Sequence, residues 1–178
     1  MCLTTVASGK SFFFYNADVS AGLFKLSGRG ALAIDKTSLR AAADFDIASK
    51  VTVAVPAEVH DWTVREGATV SGSGTISVNG TFSPIVDTAA KYALQDGATL
   101  DLADRTGVWN VGSATFASGA TITIDLGART DAGDHGKIVS WTAAPANVTF
   151  KLAKGIPGRL EVTGEGIFLR RGLIITFR

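Results

Sequence analysis

The feature that most limits what this chain can fold into is a short phrase recurring between Glu66 and Leu126. Gly67-Ala68-Thr69-Val70 returns as Gly97-Ala98-Thr99-Leu100 and again as Gly119-Ala120-Thr121-Ile122. Each copy opens an alternating run: Val70, Ile76 and Val78, then Leu100 and Leu102, then Ile122, Ile124 and Leu126. A second register overlies the first. Leu100-Asp101-Leu102 with Arg105-Thr106 comes back as Ile124-Asp125-Leu126 with Arg129-Thr130, a shift of 24 residues. A repeat of roughly 20 to 30 residues suits a solenoid, because one turn of chain must return to the same face before the next stacks on it. The pattern predicts an all-β chain wound as a β-solenoid.

Composition fits that reading. The chain has 178 residues, enough for one domain or one solenoid without internal boundaries. It is 46% apolar and 19% charged, so it can bury a core and is not disordered. Its 20 glycines suit frequent turns. Net charge is +1 and the densest cationic run is Arg170-Arg171, which argues against nucleic acid as a partner. No apolar run approaches the ~20 residues that span a bilayer, so direct membrane insertion is not expected. The single cysteine, Cys2, builds no disulfide framework and no cysteine-based zinc site. Ser11-Phe12-Phe13-Phe14-Tyr15 is too short for the apolar core of a secretory signal. The chain is then read as either cytoplasmic or the tail of a longer exported protein, and the resemblance described below favours the second.

Taken in order, the aromatic cluster Phe12–Tyr15 reads as a strand or cap over an open end of the core. Leu23–Ile34 is hairpin-like about Gly28-Arg29-Gly30, which has no helix after it and so makes a poor phosphate loop. Thr37–Ala48 is the best helix candidate, through Ala41-Ala42-Ala43, although Ala-rich phrases also fill tight solenoid turns. A second short helix is an alternative for the segment after Asp87. Val51, Val53 and Val55 alternate as a strand that Pro56 stops. Ser71-Gly72-Ser73-Gly74 and Asn79-Gly80 are corner sequences. After the polar loop Arg129–Gly136 the pattern changes to five short strands about ten residues apart, the spacing of antiparallel hairpins. We read residues 1–135 as solenoid turns and 136–178 as a β-hairpin cap of the same domain, which shields unpaired backbone groups at the solenoid's end. An antiparallel β-sandwich is the competing architecture. The two differ in strand pairing, parallel between segments about 22 to 30 residues apart or antiparallel between hairpin neighbours.

Glu66–Ile76 and Leu94–Leu102 resemble the repeats of bacterial autotransporter passenger domains, which are pectin-lyase-like, and Gly166-Ile167-Phe168-Leu169 resembles the end of their tails. The resemblance implies a right-handed parallel β-helix on a secreted or cell-surface protein, often adhesive. It implies partners among host or cell-surface glycans or proteins.

Several groups carry chemistry. Asp101 and Asp125 hold equivalent repeat positions, with Arg105 and Arg129 following. As stacked ladders they are candidate ligand-binding residues, weighed against a solvated face of weak ion pairs. Trp62, Trp109 and Trp141 stack on sugars if exposed and pack the core if not, and Trp109 is kept among the candidate ligand residues. Asp131, Asp134 and His135 are metal-capable but too few for calcium or zinc, so no metal or cofactor is expected. Glu58, His60 and Asp61 resemble part of a catalytic triad, but no Gly-x-Ser-x-Gly elbow accompanies them. The expected function is a non-enzymatic structural or adhesion segment. The alternative is a carbohydrate-binding or polysaccharide-acting β-helix fragment, including the phage tail-spike type.

Overall fold

The computed structural model describes residues 2–5, 11–15, 18–19, 22–27, 31–35, 38–39, 43–48, 50–54, 56–128 and 136–171. Those residues are all β, with no helix among them. The first strands are β1 (Cys2–Thr5), β2 (Ser11–Tyr15), β3 (Asp18–Val19), β4 (Gly22–Ser27), β5 (Ala31–Asp35), β6 (Ser38–Leu39) and β7 (Ala43–Ile47). Next come β8 (Lys50–Val53), β9 (Ala57–Val59), β10 (Trp62–Val64), β11 (Thr69–Ser71), β12 (Thr75–Val78), β13 (Thr81–Pro84) and β14 (Lys91–Leu94). The last are β15 (Thr99–Asp101), β16 (Trp109–Asn110), β17 (Thr115–Phe116), β18 (Thr121–Asp125), β19 (Lys137–Ser140), β20 (Thr149–Leu152), β21 (Arg159–Thr163) and β22 (Gly166–Arg170).

Eight of them form one long sheet in the order β1-β4-β7-β10-β13-β15-β18-β20, every pair parallel. A second sheet, β11-β8-β5-β2, and a third, β17-β14-β12-β9, are also parallel throughout. From β7 to β12 the chain visits the three sheets in turn, twice, before β13 returns to the long one. Successive rungs of the long sheet pair Phe45 with Trp62, Trp62 with Phe82, Phe82 with Leu100 and Leu100 with Ile124, shifts of 17, 20, 18 and 24 residues. This is the topology of stacked coils. A sandwich of hairpin neighbours would pair these strands antiparallel, and the long sheet excludes it.

The two sequence registers fare differently. The 24-residue register is the real one, because Asp101 lies beside Asp125 and Leu100 beside Ile124. The Gly-Ala-Thr phrases are not equivalent positions. Thr69 opens β11 in the second sheet beside Lys50, whereas Thr99 sits in the long sheet opposite Thr123, two residues past Thr121. What the phrases share is a turn. Ala68, Ala98 and Ala120 each donate an N–H to the carbonyl three residues back, of Arg65, Gln95 and Ala117. Gly67, Gly97 and Gly119 hold φ near +80° at the third position, as a type II turn requires.

Neither helix alternative forms among the described residues. Thr37–Ala48 contains β6 and β7, and the segment after Asp87 leads into β14. In β7, Phe45 and Ile47 are 1% and 0% exposed, and the strand pairs with β4 and β10 on its two sides. That burial outweighs the weak helix preference of Ala43, the one alanine of that run among the described residues.

Parallel stacking also continues past residue 136. β20 pairs with β18, Phe150 beside Ile122 and Leu152 beside Ile124, and β19 runs parallel to β16. Antiparallel pairing among the described residues is confined to β19-β22-β21. There Gly166, at φ +152°, is packed so closely that an added Cβ would lie 2.0 Å from the Val139 carbonyl oxygen.

The core threads through the coils as columns. Phe45, Trp62, Phe82, Leu100 and Ile124 follow one another up the long sheet, each at most 1% exposed. Phe45 tilts against Trp62 at 5.1 Å between ring centroids. Phe82 meets Tyr92 at 4.6 Å and the edge of Trp109 at 5.7 Å. Small residues allow the coils to close up. A Cβ on Gly72, at φ +120°, would lie 2.1 Å from the Val53 carbonyl oxygen of the coil below.

Burial pushes the Tyr92 hydroxyl up to about 12, partly offset by its contact with Thr88 Oγ1 at 2.7 Å. The Trp62 indole N–H has no hydrogen-bond partner in good geometry, but lies near enough to this hydroxyl to favour the phenolate slightly. A phenol with a raised folded-state pKa contributes stability that is complete below about pH 10 and is lost as pH climbs towards 12. Denaturant unfolding across that window is expected to show a loss of about 2–3 kcal/mol. In Tyr92→Phe most of that slope disappears.

Candidate functional site

The outward face of the long sheet carries polar side chains in two columns. One runs Asp46, Thr63, Ser83, Asp101, Asp125, with Asp46 beside Thr63, Thr63 beside Ser83 and Asp101 beside Asp125. Ser83, which is buried at 8% exposure, joins the two halves by donating from Oγ to Asp101 Oδ2 at 3.1 Å. The other runs Thr81, Thr99, Thr123, Lys151. Parallel rungs are about 4.8 Å apart and alternate residues point the same way, so the face is a fixed grid of hydroxyls and carboxylates. Arg65 holds both Asp46 oxygens, through Nε at 2.5 Å and a second nitrogen at 3.1 Å. Chiefly through that bond, Asp46 holds the Arg65 guanidinium above its ordinary value.

Asp101 and Asp125 are brought together as neighbours on this face. Each also has a local task. Asp101 Oδ1 accepts the Ala103 N–H at 2.9 Å and Asp125 Oδ1 accepts the Gly127 N–H at 2.8 Å. Both cap the turn that follows their strand, the usual reason for an aspartate at a strand end. The recurrence of Asp at these positions therefore has a turn-forming cause as well as a surface consequence.

Arg105 does not join them. It is 7% exposed and turned inward. Its guanidinium donates to the Pro84 carbonyl at 2.8 Å, the Val108 carbonyl at 2.9 Å, and Asp87 Oδ1 at 2.8 Å. It thus ties the excursion after β13 to the one after β15. Arg129, Asp131, Asp134 and His135 lie outside the described residues. Trp109 is 3% exposed, Trp62 0% and Trp141 9%, and the Trp141 indole N–H donates to the Thr163 carbonyl at 3.1 Å. All three indoles are packing residues, and none offers an open face to a sugar ring. Beside Trp141 lies an apolar groove of about 260 Å³, lined in part by Phe116, Pro145 and Val111.

On the same strand as Asp46, one column over, a cluster forms that the sequence showed only in part. His60 Nδ1 lies 3.2 Å from Asp44 Oδ1 and 3.1 Å from Asp61 Oδ1. Glu58, grouped with His60 and Asp61 by sequence, is exposed on β9 and is not part of it. Asp44 belongs instead, and it comes from the previous coil. The backbone orients both carboxylates, since the Asp61 N–H donates to Asp44 Oδ1 at 3.1 Å and the Thr81 N–H to Asp61 Oδ1 at 2.5 Å.

No protein-family model matches this chain, and neither the curated proteins nor the solved structures contain a match to it.

Proposed function

We propose that this chain is a non-enzymatic structural or adhesion segment of a secreted or surface-displayed protein, with a right-handed parallel β-helix as its scaffold. The in-register polar grid on the long sheet carries this reading. It repeats from coil to coil and stands on a packed interior, as a surface made for contact with an extended partner would. The partner is a host or cell-surface glycan or protein. The antiparallel pair β21–β22 serves as the lid over one end of the coils, with Leu160 of β21 packed against the core. The segment works as part of a longer exported chain.

The alternative, a carbohydrate-binding or polysaccharide-acting fragment, keeps the Asp101–Asp125 pair but loses the stacking platform that exposed tryptophans would provide. Immobilised protein presented to intact cells and to a glycan array tests both. We expect retention that falls several-fold when Thr99, Thr123 and Lys151 are replaced by glutamate. Retention unchanged by that triple replacement would remove the grid from the account. Polysaccharide cleavage abolished by Asp101→Asn or Asp125→Asn would replace adhesion with catalysis.

A further inference from the structure

We propose that Asp44, His60 and Asp61 form a binding site for a divalent transition-metal ion of the zinc or nickel type. The three side chains come from two coils. β7 and β10 are neighbours with Phe45 beside Trp62, so the residues just before these two, Asp44 and Asp61, occupy one outward column. His60 precedes Asp61 at the corner. Their ligand atoms, two carboxylate oxygens and one imidazole nitrogen, all lie within 4.8 Å of one another.

The spacing suits one shared cation. Donors bound at about 2.0–2.2 Å to a four- or six-coordinate ion lie about 3–3.5 Å apart. His60 Nδ1 stands 3.2 Å and 3.1 Å from the two oxygens, so binding needs little movement. Hydrogen bonding alone serves this arrangement poorly. One ring nitrogen carries at most one proton, and two carboxylates face it. A dication between the three answers all of them at once, with the imidazole proton on Nε2. The nitrogen donor favours zinc, nickel or copper over calcium and magnesium, which take oxygen.

A second feature of the corner keeps the cluster open. The residue opposite His60 in the next coil is Gly80, whose N–H donates to the His60 carbonyl at 2.7 Å. A Cβ there would stand 2.4 Å from Asp61 Oδ1 and 2.8 Å from His60 Cε1. Any other residue would push aside two of the three ligands. The backbone N–H groups of Asp61 and Thr81 donate to the same Oδ1 atoms that face His60 and hold those oxygens in place. The side chains are 34%, 54% and 39% exposed for Asp44, His60 and Asp61, which leaves room for water in the remaining coordination positions. The site is independent of the adhesive reading and stands or falls without it.

Isothermal titration of the full chain with zinc chloride tests this, in a Cys2→Ser background so that the thiol does not compete. One equivalent of zinc is expected to bind. His60→Ala and Asp44→Asn are each expected to weaken binding by more than about tenfold. His60 is half exposed, so His60→Ala leaves the fold intact, and circular dichroism verifies that. Saturating zinc is expected to raise the Tm of the parent protein and not of His60→Ala. No binding by the parent, or binding of equal strength in both variants, would overturn the proposal.

Discussion

Replacing Trp62 with alanine is expected to lower the unfolding free energy by about 3–5 kcal/mol. The indole is fully buried at the middle of the interior column, with Phe45 on the coil below and Phe82 on the coil above. In a stack, each coil finds its partners only in the coils next to it. A cavity here therefore removes contacts from two interfaces together, and the backbone cannot collapse around it without breaking the parallel ladders. Trp62→Phe keeps a ring against Phe45 and is expected to recover more than half of the loss. Urea unfolding of the three proteins measures both effects. A cost for Trp62→Ala below about 1 kcal/mol would mean the column is not where the stability resides.

Arg105→Ala is expected to cost about 3–5 kcal/mol, the scale reached when several buried polar groups lose their partner together. The side chain supplies donors to two backbone carbonyls at 2.8 and 2.9 Å and to Asp87, from an almost fully buried position. Val108 lies outside the strands and Pro84 is the last residue of β13, so the side chain ties a strand end to an irregular segment. Arg105→Lys is the informative companion. An ammonium reaches one acceptor where the guanidinium fork reaches three, so lysine is expected to restore less than half of the lost stability. A neutral result for both would return Arg105 to the solvated surface.

The architecture was legible in the sequence because stacked coils leave a linear trace. The Leu100-Asp101-Leu102 and Ile124-Asp125-Leu126 phrases are neighbours in space, as their shift of 24 predicts. The Gly-Ala-Thr phrases misled in detail. They mark a turn type, and a turn can lead into any of the sheets, so Thr69 entered a different sheet from Thr99. The variable rung spacing had the same effect, since shifts of 17 to 28 residues blur any single period. Hairpin-like spacing after Gly136 also concealed the parallel strand Thr149–Leu152, because spacing reports strand length and not the partner.

The site was less legible for a related reason. Asp101 and Asp125 were visible through the repeat, but Arg105 carried the same signature while facing inward. Periodicity fixes a position in the coil only where the chain is in a strand, and Arg105 lies in the irregular path between β15 and β16. Asp44 was invisible beside His60 because 16 residues and one full coil separate them. A shift of 17 between Phe45 and Trp62 was the one signal that could have joined them.

Disulfide trapping tests the stacked-coil account most directly. In a Cys2→Ser background, Thr99→Cys is combined with either Thr123→Cys or Thr121→Cys. Residues side by side in adjacent strands have Cα atoms within the range a disulfide spans, whereas partners two positions out of register exceed it. The account predicts rapid cross-linking of residues 99 and 123 under mild oxidation, with 99 and 121 remaining free. Equal cross-linking of the two pairs, or a preference for 99 with 121, would contradict it.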